Sequence, residues 1–147
     1  MAYDIDTIAT AIADALKPLE ADGVGCQIVP AMPANPTPPG VYITDGEINY
    51  DLAMARGLDE FTMDVTLLVG YGSDLGAQRR LRKLRDGSKG VKALIEGVRG
   101  TSDYRTLGGL VDNCAVTTVS PPRLYGNVDA GKRALGCKFT VRIRATP

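Results

Sequence analysis

The run Phe61-Thr62-Met63-Asp64-Val65-Thr66-Leu67-Leu68-Val69-Gly70-Tyr71-Gly72-Ser73-Asp74 decides the fold. Phe61, Met63, Val65, Leu67 and Val69 alternate with Thr62, Asp64, Thr66 and Leu68, the period of a strand with one buried face. Gly70 and Gly72 break that pattern, and Ser73 or Asp74 offers a side-chain oxygen to cap a helix. In the helix predicted over residues 74–84, Ala77, Leu81 and Leu84 form one narrow apolar stripe. Arg79, Arg80, Arg82, Lys83 and Arg85 fill much of the remaining surface, with few local carboxylates to pair with. A strand joined to a basic helix is the feature that any functional reading must address.

Upstream of this unit, Val41-Tyr42-Ile43 starts one extended run and residues 47–54 make a second. Arg56-Gly57-Leu58-Asp59 reads as a turn, so the whole predicts a long antiparallel hairpin. Ile5, Ile8, Ala9, Ile12, Leu16 and Leu19 share a helical face, with Asp4 as cap and Pro18 ending or kinking the helix. Cys26-Gln27-Ile28-Val29 is a short strand. The five prolines Pro30, Pro33, Pro36, Pro38 and Pro39 make residues 30–40 a stiff extended connection.

Downstream, Ser88 caps a further helix whose stripe is Val91, Leu94, Ile95 and Val98, with Lys92 and Glu96 as a local ion pair and Gly100 as its stop. Residues 113–119 form a strand with Cys114, Val116 and Thr118 on one side, ended by Pro121-Pro122. Residues 124–132 read as a long mobile connection. The last strand turns Cys137, Phe139, Val141 and Ile143 inward and Lys138, Thr140, Arg142 and Arg144 outward. The expected fold is α+β: a mainly antiparallel or mixed sheet of about four to five strands with about two to three helices packed on it, in one domain over residues 1–147.

A composition 44% hydrophobic and 23% charged suits a globular protein. The acidic first residues lack a signal-peptide pattern, and no apolar run approaches a membrane span. Cys26, Cys114 and Cys137 are far apart and odd in number, as expected of buried thiols in a reducing compartment. The net charge is zero, yet it hides a segregation. Twelve acids face two bases through Gln78, and fifteen bases face five acids from Arg79 onward. Either the protein presents surfaces of opposite sign, or folding interleaves the halves into a mixed surface.

Histidine is absent, which removes the commonest general acid–base group and metal ligand. No cysteine pair has zinc-ligand spacing. Asp4 with Asp6 reads as a helix start, and Asp59 with Glu60 as a solvated turn. Gly70-Tyr71-Gly72-Ser73 lies where phosphates can bind, but fits neither the dinucleotide fingerprint nor the P-loop, and Asp74 repels an anion there. No catalytic residue, metal site or cofactor is expected. The arginine-rich helix suits either contact with a nucleic-acid backbone without base readout or a plain solvated face.

The order of these elements resembles the tail terminator proteins of long-tailed bacteriophages, those of actinobacterial phages in particular. The likeness rests on the helical start, on Val29-Pro30 through Pro38-Pro39-Gly40-Val41, and on Asp64-Val65-Thr66-Leu67-Leu68-Val69-Gly70. Ser73-Asp74 opening a helix with Ala77-Gln78 and Leu81, and the alternating final strand, complete it. The resemblance implies a virion protein of the head–tail junction, assembled in the host cytoplasm. It implies a closed ring of about six copies that caps the tail tube, stops its growth and joins the neck. Implied partners are further copies, the tail-tube protein and a neck or head-closure protein, with non-specific contact to viral DNA in the channel. Another neck or tail component (head-closure, tail-completion or tail-tube subunit) and a small basic DNA-binding module are the alternatives. The residues expected at the assembly interface or channel are Arg79, Arg80, Arg82, Lys83 and Arg85, with Asp45, Glu47, Arg56, Asp59 and Glu60.

Overall fold

A computed structural model describes residues 4–18, 27–30, 40–50, 59–71, 75–86, 90–97, 107, 110–125 and 134–145. Helix α1 (Ile5–Ala15) is followed by β1 (Gln27–Val29), β2 (Gly40–Asn49) and β3 (Asp59–Tyr71). Then come α2 (Leu75–Arg85), α3 (Val91–Glu96), β4 (Asn113–Val119), β5 (Arg123–Tyr125) and β6 (Ala134–Ala145). The strands form one six-stranded sheet in the order β1-β2-β3-β6-β4, with β5 also paired to β6. Only the β1–β2 pairing is parallel among these strands, so the sheet is mixed and the fold is α+β.

The alternation in β3 sets the layers. Phe61, Met63, Val65, Leu67 and Val69 are all buried in one core with Cys137, Phe139, Val141 and Ile143 of β6. Ile8, Ile12 and Leu16 at α1, Ala77, Leu81 and Leu84 of α2, and Val91 and Ile95 of α3 join the same cluster. All three helices therefore cover one face of the sheet. A large apolar side chain buried this fully contributes roughly 1.5–3 kcal/mol relative to exposure. Helix α1 begins as its sequence implies: Asp4 Oδ1 accepts from the Asp6 N–H at 3.0 Å, which satisfies a backbone donor that the helix cannot. It ends at Ala15, before Pro18.

The opposite face is not uniformly wet. Thr66 is 4% exposed and Leu68 1%, and Leu68 clusters with Tyr42 and Val29. The Gly70 end of β3 is thus buried on both faces, where one buried face was expected. A bulge between Leu68 and Gly70 carries this end of β3 past β6, and Gly70 continues the strand instead of ending it. Gly136 permits that approach. A Cβ there would lie 2.1 Å from the Leu67 carbonyl oxygen and 2.8 Å from Leu68 Cδ2. The two extended runs predicted at 41–43 and from 47 are one strand, β2, bent by a bulge between Asp45 and Ile48. Gly46 sits in that bulge, where a Cβ would meet Thr62 Oγ1 at 2.2 Å.

Two further expectations change. Within residues 124–132, expected as a mobile connection, residues 124 and 125 belong to the short strand β5, which makes the strand count six. Thr118 is exposed instead of inward, because a bulge between Val116 and Thr118 interrupts the alternation of β4. Ser120 bridges the kink between β4 and β5, where Pro121 and Pro122 have no N–H to give. Its N–H donates to the Lys138 carbonyl at 2.8 Å and its Oγ accepts from the Lys138 N–H at 2.9 Å. The expected caps at Ser73, Asp74 and Ser88, the Gly100 stop, Leu19, Cys26, Val98 and residues 31–39 lie outside the described residues.

Gly136→Ala forces a methyl group against the Leu67 carbonyl. It is expected to destabilise the fold by about 1–3 kcal/mol, the usual cost of overpacking, read from the urea midpoint. An unchanged midpoint would show that β3 and β6 can separate there freely.

Candidate functional site

Helix α2 lies on β3 and β6 with Ala77, Leu81 and Leu84 turned to the core. That phase divides its five cations into three groups. Arg79, Arg82 and Lys83 are exposed and make no ion pair or hydrogen bond with any other described residue. Spaced three and four apart, they share the outward side of the helix. Arg80 is exposed too, but its Nη2 donates to the Val69 carbonyl at 3.4 Å and ties the helix to the end of β3. Arg85 turns inward. It is half-buried, and its Nε is shielded from solvent with no hydrogen-bond partner among the described residues.

The expected carboxylates divide as well. Asp45 and Glu47 are exposed on β2 and pair with no described cation. Asp59 was expected in a solvated turn. It is the first residue of β3, opposite Ala145 of β6, and is 4% exposed. Glu60 was expected to be free for a neighbour. Its Oε2 accepts from Arg144 Nε at 2.8 Å across the β3–β6 ladder. Both corrections have one cause: β3 starts two residues before its apolar alternation, so Asp59 and Glu60 belong to the ladder. Arg56 lies outside the described residues.

The sequence did not single out what α3 does for the edge of β4. Glu96 Oε2 accepts the Val116 N–H at 2.9 Å, and Lys92 Nζ donates to the Val116 carbonyl at 3.5 Å. Lys92 and Glu96 also pair with each other, as their spacing predicts. One side-chain ion pair thus satisfies both backbone groups of Val116, much as a neighbouring strand would. A surface cavity of about 260 Å³ opens beside this pair. Arg85 and Lys92 line it with residues 116–119 and Phe139.

Burial pushes the Cys137 thiol up from 9.0 to about 12, against the opposing pull of the nearby Arg85 charge. A thiol held protonated and buried is a poor nucleophile. Cys114 is buried as well. Among the described residues no group of three or more His, Cys, Asp or Glu could hold a metal ion, and no helix is long and apolar enough to cross a membrane. The arrangement offers charge–charge recognition: an outward cationic stripe on α2, two unpaired carboxylates on β2, and an inward arginine at a cavity. Comparison with protein-family models and with curated proteins finds no match to this chain.

Glu96→Ala strands the buried Val116 N–H and unpairs Lys92. It is expected to cost about 1–3 kcal/mol, measured by chemical denaturation. A cost near zero would show that water replaces the carboxylate at the β4 edge. In the native protein Cys137 should stay unmodified by a thiol reagent at pH 8 and react once the chain is unfolded. Rapid modification of native protein at Cys137 would contradict its burial.

Proposed function

We propose that this chain is a structural subunit of a bacteriophage tail, a terminator that assembles as a closed ring of about six copies. In that reading it caps the tail tube at the head–tail junction, stops further growth and docks to a neck protein. It works by assembly, not catalysis. One observation carries the assembly reading. A chain with no net charge exposes Arg79, Arg82 and Lys83 on α2 and Asp45 and Glu47 on β2, and none of these pairs within the described residues. Glu47 sits in the bulge opposite Thr62 and Arg80 reaches the carbonyl of Val69. Those levels of β3 are about 23 Å apart at the rise of an extended chain. Separated patches of opposite sign can meet between identical copies and disfavour docking of either patch on its own counterpart. The α+β fold agrees with the resemblance of the element order to tail terminators.

Arg80 anchors α2 to β3, so the test spares it. The triple variant Arg79→Glu, Arg82→Glu, Lys83→Glu is expected to keep its thermal stability and to remain monomeric by native mass measurement where the parent forms rings. Phage carrying it should accumulate tails of uncontrolled length and few infectious particles. A ring that survives, with loss only of DNA retention or ejection, would place the stripe at the channel. Normal assembly, packaging and ejection would make the stripe a solvated face and defeat the proposal.

A further inference from the structure

Arg85 differs from its four cationic neighbours on α2. Its side chain is half-buried and lines a surface cavity. Its Nε is buried and unpartnered, which leaves a desolvated donor without the hydrogen bond that normally compensates it. Lys92 lines the same cavity, but its charge is balanced by Glu96 and its ammonium also reaches the Val116 carbonyl. Among the described residues the site therefore carries one uncompensated positive charge. Val116, Val119 and Phe139 supply an apolar wall, and Thr117 and Thr118 line the cavity as well, the Thr117 hydroxyl donating to the Thr140 carbonyl. At about 260 Å³ the space is smaller than the roughly 300–1,000 Å³ of pockets for drug-sized ligands. Its chemistry suits a single monoanionic group on a short apolar stem, which an acidic side chain provides. Guanidinium and carboxylate match as a two-pronged pair, and such charge-assisted bonds are the strong ones.

We infer that this cavity receives the Glu47 carboxylate of a second copy of the chain. The inference rests on the ring reading above and names a contact within it. Glu47 meets the requirements on the donor side. It is exposed, it has no ionic partner among the described residues, and the β2 bulge next to Gly46 lifts it from the regular ladder. Its two methylenes reach farther than the single one of Asp45, which suits a carboxylate entering a cavity. A receptor at Arg85 and a donor at Glu47 lie on different parts of one surface. Repeated head to tail, such a contact closes a ring; made reciprocally it would stop at a two-fold dimer, which the measured copy number tells apart.

The test uses the full chain with Arg85→Gln, Glu47→Gln, their combination, and the swapped pair Arg85→Glu with Glu47→Arg. Each single variant is expected to weaken self-association about tenfold or more, read by sedimentation or native mass measurement. The combined Gln variant should be no weaker than either single one, and the swapped pair should recover most of the association. Glu47→Gln alters an exposed side chain, so it reports on the contact even if Arg85→Gln melts early. Additive single effects, no effect of Glu47→Gln, or no recovery by the swapped pair overturns the contact. Parental assembly by the Gln variants, with dissolution by reversal of the α2 stripe, defeats this contact and leaves the ring standing. A parent that stays monomeric at every concentration defeats the ring reading and this contact together.

Discussion

The structure depends on the antiparallel ladder between β3 and β6. It runs in register from Asp59 opposite Ala145 to Tyr71 opposite Ala134, with one interruption between Leu68 and Gly70. Every other layer refers to it. β2 adds to the far side of β3, β4 and β5 add to the far side of β6, and α2 packs across both central strands. The inward residues of the two strands face each other in pairs, Phe61 with Ile143, Met63 with Val141, Val65 with Phe139 and Leu67 with Cys137. A one-residue slip would turn all of them to the other face, so burial itself fixes the register. The partners are far apart in sequence, so the ladder closes a long loop before it gains anything from burial. That expense is why the interior of the pairing holds continuous apolar rows and leaves the polar residues to the other face.

Edges are the second problem that such a sheet must solve, because an unpaired edge is a template for uncontrolled pairing. β4 is handled by chemistry unusual for an edge: a helical ion pair, Lys92 with Glu96, occupies the backbone groups of Val116. The bulge that follows and the Pro121-Pro122 kink then break the edge before β5 resumes it. In the ring proposed above, closing this edge by side chains would leave recognition to charge and to the cavity beside Arg85. Stray strand addition there is discouraged.

The parts of the fold that were legible in the sequence are those written as periodicity. The alternation in β3 and β6, the stripe of α2, the Asp4 cap and the Lys92–Glu96 spacing all appear where the residues imply. What was illegible depends on partners distant in the chain. Asp59 and Glu60 follow Arg56-Gly57-Leu58 and look like part of a turn. Only the pairing with Ala145 and Arg144 makes them ladder residues. β5 is three residues long and exists because β6 extends beyond β4 and offers it a partner. Among the cations, Arg85 carried a faint signal, since it lies four residues after Leu81 and next to Leu84, at the margin of the buried stripe. The cavity beside it is completed by Lys92 of α3, residues 116–119 of β4 and Phe139 of β6, which the spacing of α2 alone cannot announce.

Folding uses up only part of the charge segregation. Lys138 with Asp64 and Arg144 with Glu60 join the basic second half to the acidic first half across the central ladder. Lys17 with Asp14 and Lys92 with Glu96 are local pairs. The halves are thus interleaved on the polar face of the sheet, and there the mixed-surface reading of the sequence holds. It fails at α2 and at the β2 bulge. Arg79, Arg82, Lys83 and Arg85 keep one sign, Asp45 and Glu47 the other, with no internal compensation among the described residues. A two-fold contact through either patch would set like charge against like, at a cost that grows as water is excluded. A head-to-tail contact sets each patch against its opposite. In the assembly proposed above, the charge left over from folding therefore disfavours either patch meeting its own copy and favours α2 of one subunit against the β2 bulge of the next.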